Sequence, residues 1–153
     1  MQFTALPTAT VSALQSGATD AYDMPCERSI SDGAGNPCRH CLCNIPEGAP
    51  MLILAHRPFD GHHAYAETGP IFLCASDCTR GGGGAMPEIL TTSPDYLLKG
   101  YCAQDRIVYG TGKIVPSADI PAYVEAVFTD PSVAYIHVRS ARNNCYQLRI
   151  DRG

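Results

Sequence analysis

Cys38-Arg39-His40-Cys41 and Cys74-Ala75-Ser76-Asp77-Cys78 are two close cysteine pairs, and the stretch that runs from Gly35 to Cys78 around them decides the reading of the chain. In C-x-x-C a tight turn lets both thiolates face one cation while backbone amides donate to the sulfurs. Two pairs a few tens of residues apart make one closed site. Thiolates select a borderline-soft ion, so Zn2+ is the expected occupant, one per chain, with Fe2+ as the alternative. Sulfur fills all four positions and leaves no place for water, which reads as scaffold rather than catalysis. The expected ligands are Cys38, Cys41, Cys74 and Cys78. Cys43, Cys26 and His40 stand as substitutes, Cys43 the poorest because C-x-C at 41 and 43 is awkward within one knuckle. The competing reading makes some of these cysteines buried apolar residues, as expected for Cys102 in a strand.

Between the pairs, Ile45-Pro46-Glu47-Gly48 supplies a turn, Met51 to Ala55 a strand, residues 56–70 a His-rich loop and Ile71 to Leu73 a returning strand. Cys74 to Cys78 is expected on the first turn of a helix, where residues four apart share a face. Gly81 to Gly84 reads as a flexible spacer that ends this helix. No Gly-Lys-Ser/Thr follows, so the glycines are not a phosphate cradle.

Outward from the centre, residues 3–6 read as a strand and Thr8 or Thr10 opens an amphipathic helix through Val11, Ala13 and Leu14. Residues 18–37, rich in Asp, Gly and Pro, read as a long loop. In the C-terminal part, 96–101 and 106–110 read as paired strands around Ala103-Gln104-Asp105, with 113–115 extending the second. A helix is expected from Ser117 or Asp119, with Pro121 in its first turn, Ile120, Val124, Val127 and Phe128 as its apolar face, and a stop at Asp130-Pro131. Val133 to Val138 and Tyr146 to Ile150 form a hairpin through a turn at 140–144. The expected class is therefore α+β: a small, mostly antiparallel sheet with one main C-terminal helix and an embedded zinc knuckle. One domain spans 1–153, with a metal-binding subdomain at 35–80 and an α+β part at 94–153.

The 153 residues are 45% hydrophobic and 17% charged, a globular balance able to bury about 70% of the unfolded surface. A net charge of −4 without any long basic run argues against nucleic acid and anionic membranes as partners. No stretch approaches the roughly 20 apolar residues of a membrane span. Met1 to Leu6 lacks a charged and then apolar leader, so a cytoplasmic location is expected. A reducing compartment favours metal ligation over disulfides.

Two further runs could carry chemistry. On a strand His137, Arg139 and Ala141 share one face. Arg139 and Arg142, with Asn143 and Asn144, could accept an anion, while Cys145 and His137 could form a nucleophile–base pair. The plainer reading is a hairpin turn with a buried cysteine and solvated arginines. His56, His62 and His63 could build a second, open zinc site, but adjacent histidines point apart on extended chain. Tyr65 and Glu67 nearby could do acid–base work.

The order C-x-x-C, three residues, Ile45-Pro46-Glu47-Gly48, a strand and then a second ligand pair resembles a treble-clef zinc finger of the poly(ADP-ribose) polymerase type. There a His usually stands where Cys74 is, and a basic surface that this chain lacks faces DNA. The resemblance implies a treble-clef-like knuckle over residues 38–78. Nearly the full length also resembles an uncharacterised bacterial family, domain-of-unknown-function family 1203. The segments that carry this are Gly35 to Cys41, Ala66 to Phe72, Arg106 to Gly112 and His137 to Cys145. That resemblance implies no activity. The expected function is a zinc-stabilised binding protein for a small anionic ligand or a protein partner; the alternative is a small enzyme using Cys145 and His137.

Overall fold

The computed structural model describes all residues, Met1 to Gly153. The class is α+β, with two antiparallel sheets and few helices. Strands β1 (Gln2–Thr4), β5 (Gly82–Gly83), β6 (Asp95–Tyr101), β7 (Lys113–Pro116), β8 (Tyr135–Ser140) and β9 (Tyr146–Asp151) form a six-stranded sheet in the order β5-β1-β9-β8-β6-β7. A three-stranded sheet has the order β2-β3-β4, with β2 at Glu27–Ile30, β3 at Pro50–His56 and β4 at Gly69–Cys74. The two helices are α1 (Thr8–Gln15) and α2 (Ile120–Val127).

Period-two alternation sorts β8 into two faces. Ile136 and Val138 join Leu148, Ile150, Tyr96, Leu98 and Val115 in a core against α2, which contributes Ile120 and Val124 one turn apart. Tyr135, His137 and Arg139 point to the opposite face, yet they too are buried. They are covered by the 57–67 segment and the cysteine subdomain. That subdomain has its own core: Val11 and Leu14 of α1, Cys38 and Ile45, Met51, Leu52 and Leu54 of β3, Ile71 and Leu73 of β4, and Tyr146 reaching across from β9. At roughly 1.5–3 kcal/mol per buried aliphatic side chain, both cores are substantial.

Several expectations are corrected. There are two sheets, not one. The loop expected over 18–37 contains β2, every residue of which is exposed. Its backbone completes the β3 edge, but Glu27-Arg28-Ser29 buries no face and so shows no hydrophobic pattern. Residues 106–110 are not a strand; Ile107 makes a single bridge to Tyr101, and β7 is what pairs with β6. Cys102 lies beyond the end of β6 and is half-buried rather than a core strand residue.

The helix expected at Cys74–Cys78 does not form. Cys74 is still paired with Met51 in β4, and the Gln15 amide takes the carbonyls of Cys74 and Ser76 that a helix would need. Nor is the glycine run a spacer. Gly82 and Gly83 pair with Thr4 and Phe3 as β5. The Gly81 amide donates to the His40 carbonyl at 2.8 Å, and a Cβ at Gly81 would collide with the Cys41 carbonyl oxygen. The chain crosses the knuckle too closely for any side chain. No helix is long and apolar enough to cross a membrane.

Candidate metal centre and adjoining cleft

Cys38 enters a tight turn over residues 39–41, closed by Leu42 N–H to Cys38 O and Cys38 N–H to Cys43 O, both 3.0 Å. Leu42 holds a left-handed backbone (φ 59°) while its side chain is buried, so tertiary packing holds this bend. The turn docks on β4: Cys38 bridges Phe72, and Arg39 N–H reaches the Phe72 carbonyl at 3.2 Å. That docking sets the first cysteine pair against the second. The sulfurs of Cys38, Cys41, Cys74 and Cys78 all lie within 4.8 Å of one another, close enough to hold one metal ion. A tetrahedron with metal–sulfur bonds of about 2.3 Å has sulfurs about 3.8 Å apart, so the donor set fits.

The surroundings suit thiolates. Cys74 N–H donates to Cys38 Sγ at 3.3 Å, and His40 Nδ1 lies 3.1 Å from Cys78 Sγ while its Nε2 meets the Thr8 hydroxyl at 3.0 Å. With the proton on Nδ1, His40 donates to sulfur and accepts from Thr8, a supporting contact rather than ligation. Hydrogen bonds from Cys41 and Cys74 hold the Cys38 thiol far below its ordinary range. The bond to Cys38 pushes Cys41 up to about 12 and Cys74 higher still. Cys78 is raised too, mainly by burial, so without a cation only Cys38 ionises readily; a bound cation would let all four ionise. Cys43 is exposed, and with Cys26, Cys102 and Cys145 it lies outside the cluster.

Arg39, between the two knuckle cysteines, ties this centre to the large sheet. It is 2% exposed, donates from Nε to the Tyr146 carbonyl at 2.8 Å and from Nη1 to the Pro37 carbonyl, and its own carbonyl accepts from Leu6 N–H. Burial pulls its pKa down to about 10, so it stays charged at neutral pH.

Beside Arg39, the second face of β6, β8 and β9 gathers Lys99, Tyr101, Tyr135, His137, Arg139 and Arg149. In a chain of net charge −4, Lys99, Arg139 and Arg149 share one sheet face, Arg139 and Arg149 lining neighbouring cavities. Glu67 bridges two of them, Lys99 at 2.8 Å and Arg139 at 2.9 Å. Burial works to raise the Glu67 pKa, but the Lys99 hydrogen bond and the Arg139 charge outweigh it and hold the carboxyl low. His137 lies 4.8–5.1 Å, centroid to centroid, from the rings of Tyr101, Tyr135, Tyr146 and Phe59. Burial first, then Arg139 and Arg149, drives its pKa well below the usual range, so it is neutral.

The residues expected to bind an anion divide. Arg139, Asn143, Asn144 and Cys145 line one cavity of about 380 Å3 with Glu67 and His56. Arg139 Nη1 is taken by Glu67 and the Asn144 carbonyl, but its Nε and Nη2 are buried without partners. Arg142 is not in this cavity; it is exposed and pairs with Asp95 at 3.3 Å, so no two-arginine clamp forms. The expected His137–Cys145 pair does not form either. Cys145 Sγ faces the Asn143 carbonyl at 3.7 Å, and His137 lines a different cavity within its aromatic ring set. His137 sits opposite Arg149 in the β8–β9 ladder, whereas Cys145 lies before β9 at the turn, its carbonyl accepting from Ser140 N–H, so the two are not cross-strand neighbours.

The other histidines also separate. His62 lies 3.4 Å from Arg57 Nη1, His63 lies 4.0 Å from Asp105, and His56 is turned into the cleft beside Tyr146. Tyr65 meets the Tyr109 hydroxyl at 3.1 Å rather than working with Glu67. Sequence reasoning missed Arg39 as the tie to Tyr146, Lys99 as a partner of Glu67, Arg149 as a cavity wall and His56 as the residue bordering both cavities. The available signal was the polar member at every second position of Tyr135-Ile136-His137-Val138-Arg139, unusual in a strand whose other face is wholly apolar.

Fold and site together define a small α+β protein with a four-cysteine centre set beside a basic, aromatic-walled cleft. The family described as protein of unknown function (DUF1203) matches residues 35–152, from just before the knuckle to the end of β9, and the chain belongs to it. No curated protein and no solved structure matches the chain.

Proposed function

We propose that this chain is a zinc-stabilised binding protein of the cytoplasm whose cleft at Arg139 accepts a small anion. Zinc at Cys38, Cys41, Cys74 and Cys78 locks a treble-clef-like knuckle and the β3–β4 hairpin onto the six-stranded sheet. The finger resembles a treble clef in its knuckle and hairpin and departs from it in having no helix at the second pair. Four thiolates around a dication leave two negative charges, which fits a buried arginine, Arg39, that has no carboxylate partner. Zinc content near one per chain, with a large loss of thermal stability on chelation, is the expected result. A Cys41→Ser variant that keeps full zinc content and stability would remove the centre from the proposal.

The observation that carries the binding role is the Arg139 guanidinium, 3% exposed, whose Nε and Nη2 lack partners at the wall of a cavity shared with Asn143 and Asn144. A planar fork with two free donors suits a carboxylate or phosphate. Titration with inorganic phosphate and acetate, followed by amide chemical shifts of Asn143, Asn144 and Cys145, is the test. Saturable shifts that vanish in Arg139→Gln are expected; unchanged titrations in that variant would refute the site. A protein partner that docks through an acidic side chain is the same chemistry. Nucleic acid fits poorly, because the cations sit inside the cleft rather than along a surface.

A second reading, an enzyme, draws on Cys145 lining the Arg139 cavity. It would use Cys145 without His137 as its base. Fast, selective alkylation of Cys145 in metal-loaded protein at neutral pH would favour it; slow alkylation would exclude it.

A further inference from the structure

Past His56 and Tyr146 the cleft continues into a second cavity of about 410 Å3, within the roughly 300–1,000 Å3 range of small-molecule sites. We infer that this cavity, walled by His56, Arg57, Phe59, Tyr135, His137 and Arg149, is a binding site for a small planar molecule bearing an oxyanion, a phosphate or a carboxylate. The inference goes beyond the Arg139 site and stands or falls independently of it.

Three polar atoms in this wall are buried without a partner: His56 Nε2, Arg57 Nε and His137 Nδ1. They come from the end of β3, the loop after it and the middle of β8, so no local turn explains them. His137 is only 1% exposed. Native interiors rarely leave polar atoms unpaired, and three on residues that line one cavity mark where ligand atoms complete the set. The chemistry of the wall then narrows the ligand. Both histidines are neutral, each offering one donor and one acceptor; for His56 burial and then Arg39 and Arg139 bring the pKa down to about 4. Fixed positive charge comes from Arg57 and from Arg149, whose guanidinium lies 3.9 Å from the centre of the Tyr135 ring. Two carboxylates line the cavity with three arginines, Arg57, Arg80 and Arg149: Asp60 is exposed, and Asp105 already accepts from the Tyr135 hydroxyl at 2.6 Å; outside the lining, Asp151 holds Arg149 Nε at 2.6 Å. Cation and donor capacity therefore remains, and it calls for an anion. The rings of Phe59, Tyr135 and Tyr146 supply flat apolar walls, which favour a planar body attached to that anion.

The test uses full-length, metal-loaded protein and four probes: phenyl phosphate, benzoate, inorganic phosphate and phenol. Binding is read from the ring resonances of His56 and His137, and His137, which lines only this cavity, is the deciding signal because His56 borders both. Phenyl phosphate or benzoate is expected to shift both saturably, roughly tenfold more tightly than inorganic phosphate or phenol, and the tighter of the two names the head group. Arg57→Gln is expected to weaken binding roughly tenfold and Arg57→Lys by less, because lysine keeps the charge without the fork. Arg139→Gln, a change in the lining of the neighbouring cavity, is expected to weaken binding less than Arg57→Gln does. The inference is overturned if His137 does not respond, if inorganic phosphate or phenol shifts it as tightly as the aryl anions, or if Arg57→Gln binds normally. It is also overturned if Arg139→Gln abolishes the shifts, which would assign the ligand to the Arg139 cavity.

Discussion

Arg39→Met tests whether the knuckle arginine fastens the metal subdomain to the sheet or is merely a charge tolerated inside. Methionine keeps the length of the side chain and removes the donors. Two charge-assisted bonds, to the carbonyls of Tyr146 and Pro37, are lost, at about 1.5–3 kcal/mol each. Against this, burial lowers the Arg39 pKa from 12.5 to about 10. At about 1.4 kcal/mol per unit, that is a penalty of roughly 3 kcal/mol which methionine would relieve. The balance is a loss of about 0–3 kcal/mol. Negative charge on the four-thiolate centre favours the guanidinium, so the upper end belongs to zinc-loaded protein and the lower end to chelated protein. For a chain of this size, a loss of about 2–3 kcal/mol lowers Tm by roughly 4–12 °C. The assay is a pair of thermal melts, loaded and chelated, for wild type and variant. If the loaded variant melts at or above the wild type, the arginine is a net cost, as some buried ions are, and the fastening argument fails.

Two other expectations follow from particular contacts. His56 is held neutral with a pKa depressed from 6.5 to about 4, so the unfolded chain takes up its proton first as pH falls. Stability is fully present above pH 6.5 and is lost towards pH 4, by about 3 kcal/mol in all. Urea melts across that window should show His56→Gln with a flatter acid limb, and an unchanged slope would refute the assignment. Gly81→Ala places a methyl against the Cys41 carbonyl oxygen. A destabilisation of about 1–3 kcal/mol, together with reduced metal retention, is expected by melting and metal analysis, and normal values for both would show that the crossing can relax.

The parts of this protein that can be read along the chain are those whose partners lie close in sequence or whose chemistry is carried by residue type. The C-x-x-C at Cys38 and Cys41 and the second pair at Cys74 and Cys78 are such a signal, because few other uses bring four cysteines into that spacing. The β3–β4 and β8–β9 strands are another, since alternation and apolar runs bounded by turn residues follow from burying one or both faces. The α+β class and the family membership came from the same kind of local signal. What the chain does not announce are pairings set by distant elements. Glu67 reaches Arg139 across 72 positions, and Arg39 reaches Tyr146 across 107. Arg139 and Arg142, three residues apart, end in different environments because one faces the cleft and the other a solvent-exposed turn. β2 and β5 have no hydrophobic pattern of their own; each is a strand only because a neighbouring edge offers unpaired amides and carbonyls. For the same reason Cys74 to Cys78 did not become a helix: β4 and Gln15 already hold its backbone groups. Residue type determined that a metal could be gathered here, but only the packing of two sheets, with hydrogen bonds spanning most of the chain, decided which side chains face the cleft beside it.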